Sequence, residues 1–165
     1  MRARRLRGTV LIVGEGDSEE VFLKHVRGLY TANNSGFRIT IKNACGKGAA
    51  YVVDKTVRLS CGIAYDAKVA LLDNDTGCIA QARDHAKREG VELLEQSPCI
   101  EAWLLSMHGV SRISGADRLK ANFKKKFKYP AHDVRVYREY FPKPFLDSTR
   151  ASDLLLGRLL TLIGV

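Results

Sequence analysis

The sequence predicts an α/β protein with a mostly parallel four-stranded sheet and helices on both faces. Short apolar runs alternate four times with segments of helical periodicity, and the first and third runs end at turns rich in glycine or acidic residues. The 165 residues, 45% hydrophobic and 27% charged, suit one globular domain. We expect a core at about residues 8–108 and a basic helical extension at about 109–165.

Local patterns predict each element in turn. A β-branched run forms the first strand, and a helix capped by Asp17 or Ser18 follows it. In the second strand, apolar residues alternate with polar ones, which predicts a strand at the edge of the sheet. The third strand is a continuous apolar run, which predicts a buried strand. Pro98 suits the first turn of the helix after the fourth strand. The expected strands are 9–13, 37–44, 68–72 and 91–95; the expected helices start after 16, span 49–60 and 78–88, start at 97, and run from a cap near Asp147 or Ser148 to Ile163.

The net charge of +9 is concentrated in two places, the first seven residues and the segment 112–143. That segment holds ten basic and three acidic residues. It can follow a phosphate backbone, with its aromatic rings as stacking faces, or it can be a solvated basic helix whose rings lie in the core. The candidate nucleic-acid contacts are Arg112, Arg118, Lys120, Lys124, Lys125, Lys126 and Lys128, and the candidate stacking rings are Phe123, Phe127, Tyr129, Tyr137, Tyr140 and Phe141.

The cysteines and the apolar runs argue against a zinc site, an export signal and a membrane span. The four cysteines stand far apart with no Cys-x-x-Cys pair, so we expect reduced thiols and a cytoplasmic location. No apolar stretch reaches the roughly 18 residues that a membrane span requires.

Three acidic residues follow strands whose carboxyl ends are expected to meet. Glu15 comes directly after the first strand, and Asp73 and Asp75 follow the third. If those strands are neighbours, the three carboxylates converge, and an all-oxygen set without thiolate favours Mg²⁺ or Mn²⁺. Such a metal can activate water or stabilise a leaving oxygen in phosphodiester cleavage. Each residue also has a simpler explanation: Asp75 caps the next helix, Asp73 closes a turn, and Glu15 lies in solvent.

Other motifs are incomplete or weak. The chain has neither a full dinucleotide-binding turn nor a phosphate-binding P-loop, and the EF-hand pattern fails after Asp73 and Asp75. Lys47, between two glycines, either reaches a phosphate or is a flexible loop lysine. Among the histidines, only His108 shares a helical row with Glu101, where it is either a proton donor or an ordinary polar residue.

Three stretches resemble a known family. VLIVGEGDSEE (residues 10–20) looks like the TOPRIM strand that leads to a Glu-Gly pair, and VALLDND (residues 69–75) looks like the TOPRIM Asp-x-Asp strand. QSPCIEAWLL (residues 96–105) is similar to the Asn-Pro-Cys-Phe-Glu-x-Trp-Leu-Leu stretch of RloB-like proteins, which occur beside bacterial restriction and antiviral genes. Ser97, Ile100 and Ser18 replace the usual Asn, Phe and Thr, and every acidic position is intact.

The resemblance implies a TOPRIM fold in which Glu15, Asp73 and Asp75 hold Mg²⁺ and Glu101 is a fourth carboxylate. Since TOPRIM folds serve topoisomerases, primases and nucleases, fold alone does not settle activity. The chain has no room for the extra domains of the first two, so we expect a metal-dependent nuclease on DNA or RNA, acting in phage defence. The alternatives are a non-catalytic binding or assembly subunit of a defence complex and an enzyme that hydrolyses a small phosphorylated molecule. Each of these functions is compatible with a partner protein of a defence system and with an oligomer.

Overall fold

The computed structural model describes residues 8–31, 36–74, 79–110 and 115–165. The strands are β1 (Gly8–Gly14), β2 (Phe37–Asn43), β3 (Ala67–Asp73) and β4 (Glu92–Gln96). The helices in these ranges are α1 (Asp17–Thr31), α2 (Ala49–Ser60), α3 (Ile79–Glu89), α4 (Ile100–Met107), α5 (Ala116–Phe127), α6 (Val134–Tyr140), α7 (Lys143–Thr149) and α8 (Leu154–Leu162). The predicted α/β class is confirmed.

The four strands form one parallel sheet in the order β2-β1-β3-β4. Because consecutive parallel strands need crossovers, α1, α2 and α3 each connect one strand to the next. From β1 the chain moves to one edge with β2 and then returns to β1's other side with β3. The direction of strand addition therefore reverses between β1 and β3, which defines the switch point of the sheet.

Side chains of β1 alternate between two hydrophobic cores. Val10 and Ile12 pack on the face covered by α1 and α4, while Leu11 and Val13 pack on the face covered by α2 and α3. Both faces of the sheet are therefore buried, as expected for an open parallel sheet.

The helices after residue 115 share the core on the α1 face of the sheet. Phe127, Tyr137 and Phe141 are fully buried in the same hydrophobic cluster as Val10 and Ile12. The helices α5 to α8 are thus part of the hydrophobic core on this face of the sheet.

The C-terminal helices differ from the sequence-based prediction in one respect. We predicted one helix capped near Asp147 or Ser148, but the structure has two, and the second is capped by Asp153, which accepts a hydrogen bond from the Leu156 nitrogen at 2.8 Å. Asp147 instead lies inside α7, where it bonds Tyr30 and Lys143. The apolar run does form a helix, and its N-cap is Asp153, the Asp that directly precedes the run, rather than Asp147 or Ser148.

Within the described ranges, no helix combines the length and the apolar character that crossing a membrane requires. The longest of them, α1, has 15 residues and a mixed polar surface.

Phe127→Ala should lower the free energy of unfolding by about 3–5 kcal/mol, because it removes a fully buried ring. The matched control is Leu154→Ala, since Leu154 is 88% exposed and its truncation should cost less than about 0.5 kcal/mol. Urea unfolding of both variants measures the difference. Equal losses would show that the helices after residue 115 do not share the core.

Candidate functional site

The candidate site lies where β1 and β3 end side by side. These are the two central strands, and the sheet reverses its order of strand addition between them. In open parallel sheets, ligands bind outside the carboxyl ends of the strands at this point. Glu15 follows β1 directly, and Asp73 is the last residue of β3.

Glu15 is bound to the end of β3 through both its backbone and its side chain. Its backbone nitrogen donates to the Leu71 oxygen at 3.0 Å, and its Oε2 accepts from the Asp73 nitrogen at 3.0 Å. The structure therefore brings Glu15 and Asp73 together, as the sequence predicts.

A buried glutamine links Asp73 to a further carboxylate. The Gln96 side chain is fully buried at the end of β4. With its amide oriented so that nitrogen faces the carboxylates, Nε2 donates to Asp73 Oδ1 at 2.9 Å and to Glu19 Oε1 at 3.1 Å. This amide supplies positive hydrogen atoms between two groups that would otherwise repel each other.

Glu19 is a buried carboxyl at the start of α1. The pKa of Glu19 is raised from 4.5 to about 7, chiefly by burial; its backbone hydrogen bonds lower the pKa, and the negative charges of Glu101 and Glu15 add smaller increases. Its Oε2 accepts from the Gly16 nitrogen at 3.0 Å. A Cβ on Gly14 would lie only 2.7 Å from the Glu19 Cβ, so glycine at 14 gives this side chain its room.

Glu101 lies in the first turn of α4 and is only 9% exposed. The pKa of the Cys99 thiol is raised to about 12, chiefly by burial, with smaller increases from the charge of Glu101, a hydrogen bond to Glu101 and the charge of Asp73. Burial together with Glu19 and Glu101 also holds the pKa of Tyr137 well above its usual range. We call Glu15, Glu19, Asp73 and Glu101 the carboxylate cluster.

Two of the predicted site residues, Asp75 and Arg112, lie outside the described residues. Residues 8–31, 36–74, 79–110 and 115–165 contain no group of three or more His, Cys, Asp or Glu side chains placed to hold a metal ion. The expected trio of Glu15, Asp73 and Asp75 is therefore represented here by its first two members.

Lys47 lies on the loop after β2, at the same edge of the sheet as Glu15. The backbone nitrogen of Gly46 donates to the Glu15 oxygen at 2.8 Å, which fixes this loop against the site. Lys47 is exposed, and its Nζ lies 4.8 Å from the centre of the Tyr51 ring.

The basic residues of α5 and its C-cap are exposed, on a helix that packs against α4. This is so for Arg118, Lys120, Lys124, Lys125, Lys126 and Lys128.

The expectation that the aromatic rings of the basic segment offer stacking faces is wrong for four of them. Phe123, Phe127, Tyr137 and Phe141 are at most 1% exposed. The two remaining rings are half-buried, and Tyr129 has the Arg135 guanidinium 4.3 Å from its centre while Tyr140 packs against Phe127. The charge in this segment faces solvent, and its rings build the core.

His108 lies in an aromatic environment rather than among the carboxylates. Its ring stacks on Phe145 at a centroid distance of 4.3 Å, and Nε2 lies 3.1 Å from the Tyr140 oxygen. Burial lowers the pKa of His108. These contacts favour the polar helix residue over the proton donor.

Sequence reasoning missed Glu19 and Gln96, although the pattern contained a signal for each. Glu19 precedes Phe22 by three residues and Val26 by seven, so helical periodicity places it on the buried stripe of α1. Gln96 follows the buried Leu94 by two residues, so strand alternation places it on the same face. In both cases the signal is a polar residue at a position where the pattern predicts a buried side chain, near the carboxyl ends of the strands.

Glu19→Gln should increase stability at alkaline pH relative to wild type. Between about pH 4.5 and 7 the folded protein keeps the Glu19 proton while the unfolded chain releases it, so the free energy of unfolding falls as pH rises, by about 3 kcal/mol in total. The glutamine variant lacks this loss. Urea unfolding at about pH 5 and pH 8 should therefore show a gap between the two proteins that opens with pH.

Glu20→Gln is the control at the neighbouring position, and its expected effect on stability at neutral pH is the opposite, a loss. The hydrogen bond from Lys24 lowers the pKa of Glu20, so its ionised form stabilises the fold above the ordinary value of 4.5 and the variant should lose stability at neutral pH. An identical pH profile for wild type and Glu19→Gln would contradict the assignment of a raised pKa to Glu19.

Comparisons of this chain with models of known protein families, with curated proteins and with solved structures found no significant match.

Proposed function

We propose that this protein is a metal-dependent phosphodiesterase acting on DNA or RNA, with the carboxylate cluster as its active site. The observation that carries the proposal is the hydrogen bond from the Asp73 nitrogen to Glu15 Oε2, at 3.0 Å, at the switch point of the sheet. The TOPRIM resemblance and a role in phage defence, in the cytoplasm, belong to the same proposal.

The chemistry of the donor set fits Mg²⁺ or Mn²⁺. Glu15 and Asp73, with Asp75 as the third expected member, supply hard oxygen ligands. Burial is the main cause of the raised pKa of Glu19, and the nearby negative charges of Glu101 and Glu15 add a smaller increase, which a divalent cation would offset. When bound, the metal would activate water or stabilise the leaving oxygen of a phosphodiester.

The protein's own residues would orient this site and control its protons. The Gln96 amide fixes Asp73 and Glu19 relative to each other. Glu19, with a pKa of about 7, can hold a proton or release one near neutral pH, as a general acid or base requires. Glu101 is hydrogen-bonded to the Cys99 thiol, which would help to hold this carboxylate in place.

The exposed cations of α5 would hold the phosphate backbone of the substrate. Two observations support this role. The cations are exposed, and their helix packs against α4, whose first turn carries Glu101. The non-catalytic binding subunit stays the alternative, and absence of turnover on every substrate would favour it.

Asp73→Asn and Glu15→Gln should each lower the rate of cleavage by at least about 100-fold, because loss of even an outer-shell partner of a metal commonly costs about 10- to 100-fold. The assay uses plasmid, single-stranded DNA and tRNA with Mg²⁺ or Mn²⁺. Free nucleotides in parallel test for hydrolysis of small phosphorylated molecules. Asp84→Asn, an exposed carboxylate on α3, is the matched control and should cleave like wild type.

A second readout does not depend on turnover. Mg²⁺ should raise the melting temperature of wild type, with a gain of about 2.7 kcal/mol at about 100 times Kd, and should not raise that of Asp73→Asn. Cleavage that persists in both carboxylate variants would eliminate the assigned site.

Lys124→Gln/Lys125→Gln should raise KM for a polynucleotide several-fold and leave kcat unchanged, because backbone contacts bind substrate and transition state equally. Both lysines are exposed, so the fold should tolerate the change. Steady-state cleavage kinetics measure the split. An unchanged KM would remove α5 from the substrate-binding surface.

A further inference from the structure

A row of basic and aromatic residues runs along one side of α2 and faces the end of β2. The row begins just before the helix, at Lys47, and continues within it through Tyr51, Lys55 and Arg58. The spacings of four, four and three residues place these side chains on one face of α2. Lys55 Nζ donates to the backbone oxygen of Asn43 at 2.8 Å, so this face lies beside the outer strand.

The strand β2 adds two cations next to this row. Ile39 and Ile41 point into the core under α1, so Arg38 and Lys42 point to the opposite face, the one on which α2 lies. Both are exposed, because α2 packs over β1 and β3 rather than over the outer strand. We call Arg38, Lys42, Lys47, Tyr51, Lys55 and Arg58 the α2–β2 basic surface.

Two cations of this surface, Lys47 and Arg58, are held near one another by a shared aromatic ring. Lys47 Nζ lies 4.8 Å and Arg58 Cζ 5.3 Å from the centre of the same Tyr51 ring. Among the described residues, no carboxylate forms an ion pair with either of these two cations. Lys42 acts at longer range on Glu20 and helps to lower its pKa. A polyanion would supply the missing negative charge.

The surface is continuous with the carboxylate cluster. The loop that carries Lys47 is bound to the end of β1 by two backbone hydrogen bonds, from Ala44 to the Gly14 oxygen and from Gly46 to the Glu15 oxygen, both at 2.8 Å. An extended strand that lies along α2 and β2 would therefore reach Glu15 at its end.

We infer that the α2–β2 basic surface binds a nucleic-acid strand through its phosphates and leads it to the carboxylate cluster. This inference rests on the proposed function, since it names the surface that delivers the substrate of that site. Tyr51 positions the two cations from one ring, so its aromatic face matters more than its hydroxyl.

Binding is measured in EDTA by fluorescence anisotropy, with a short labelled single strand of DNA or RNA over a range of salt concentrations. Lys47→Gln/Arg58→Gln should weaken binding at least about tenfold and reduce the slope of log affinity against log salt by about 1.4, since each lost phosphate contact contributes roughly 0.7 with a single strand. Tyr51→Leu should weaken binding and Tyr51→Phe should not.

Lys87→Gln/Arg88→Gln removes the same charge from the exposed end of α3 and should change affinity less than about twofold. The inference would be overturned if the control lost as much affinity as Lys47→Gln/Arg58→Gln, or if that variant bound with wild-type affinity. It would also be overturned if the wild type did not bind the strand. Strand binding with no cleavage in any metal would defeat the proposed function and leave this surface assigned. Melting curves verify that each variant is folded.

Discussion

The pairing of β1 with β3 is the constraint on which the site depends. Because the two strands are parallel neighbours, Glu15 cannot leave β1 without meeting the end of β3, and two hydrogen bonds fix it there. That closeness concentrates negative charge. Three hydrogen-bond donors stabilise the carboxylates, namely the Asp73 and Gly16 backbone nitrogens and the Gln96 side-chain amide. Below about pH 7, Glu19 also retains its proton, which removes one negative charge.

The helices after residue 115 complete the structure around this cluster. Tyr137 of α6 is buried near Glu19 and Glu101. Its hydroxyl donates to the Ala131 oxygen at 2.5 Å, so the phenol beside the carboxylates already has a hydrogen-bond acceptor. The same segment presents its lysines to solvent. One stretch of chain thus contributes both the apolar support of the site and an exposed cationic face, which is the ordinary outcome for an amphipathic helix packed on a core.

Much of the sheet could be predicted from the sequence because buried parallel strands leave continuous apolar runs, as in β1 and β3. Glu15 and Asp73 were found because they follow such runs. Glu19 was not, since an acidic residue in a first helical turn already has a sufficient explanation in the helix dipole, and burial depends on the packing of α1 against β1 at Gly14. The α2–β2 basic surface was not predicted for a related reason: its cations come from two separate elements, and they lie within the range 8–111, whose 11 basic and 13 acidic residues give a net charge of −2.

The bond between Trp103 and Asp153 has a consequence for the order in which the chain matures. Trp103 Nε1 donates to Asp153 Oδ2 at 2.9 Å, across 50 positions of sequence, and the other oxygen of Asp153 begins α8. The helix that carries Glu101 is therefore anchored by residues that leave the ribosome well after it. A nascent chain that has already exposed every acidic residue of the cluster therefore lacks this hydrogen bond until Asp153 has also left the ribosome.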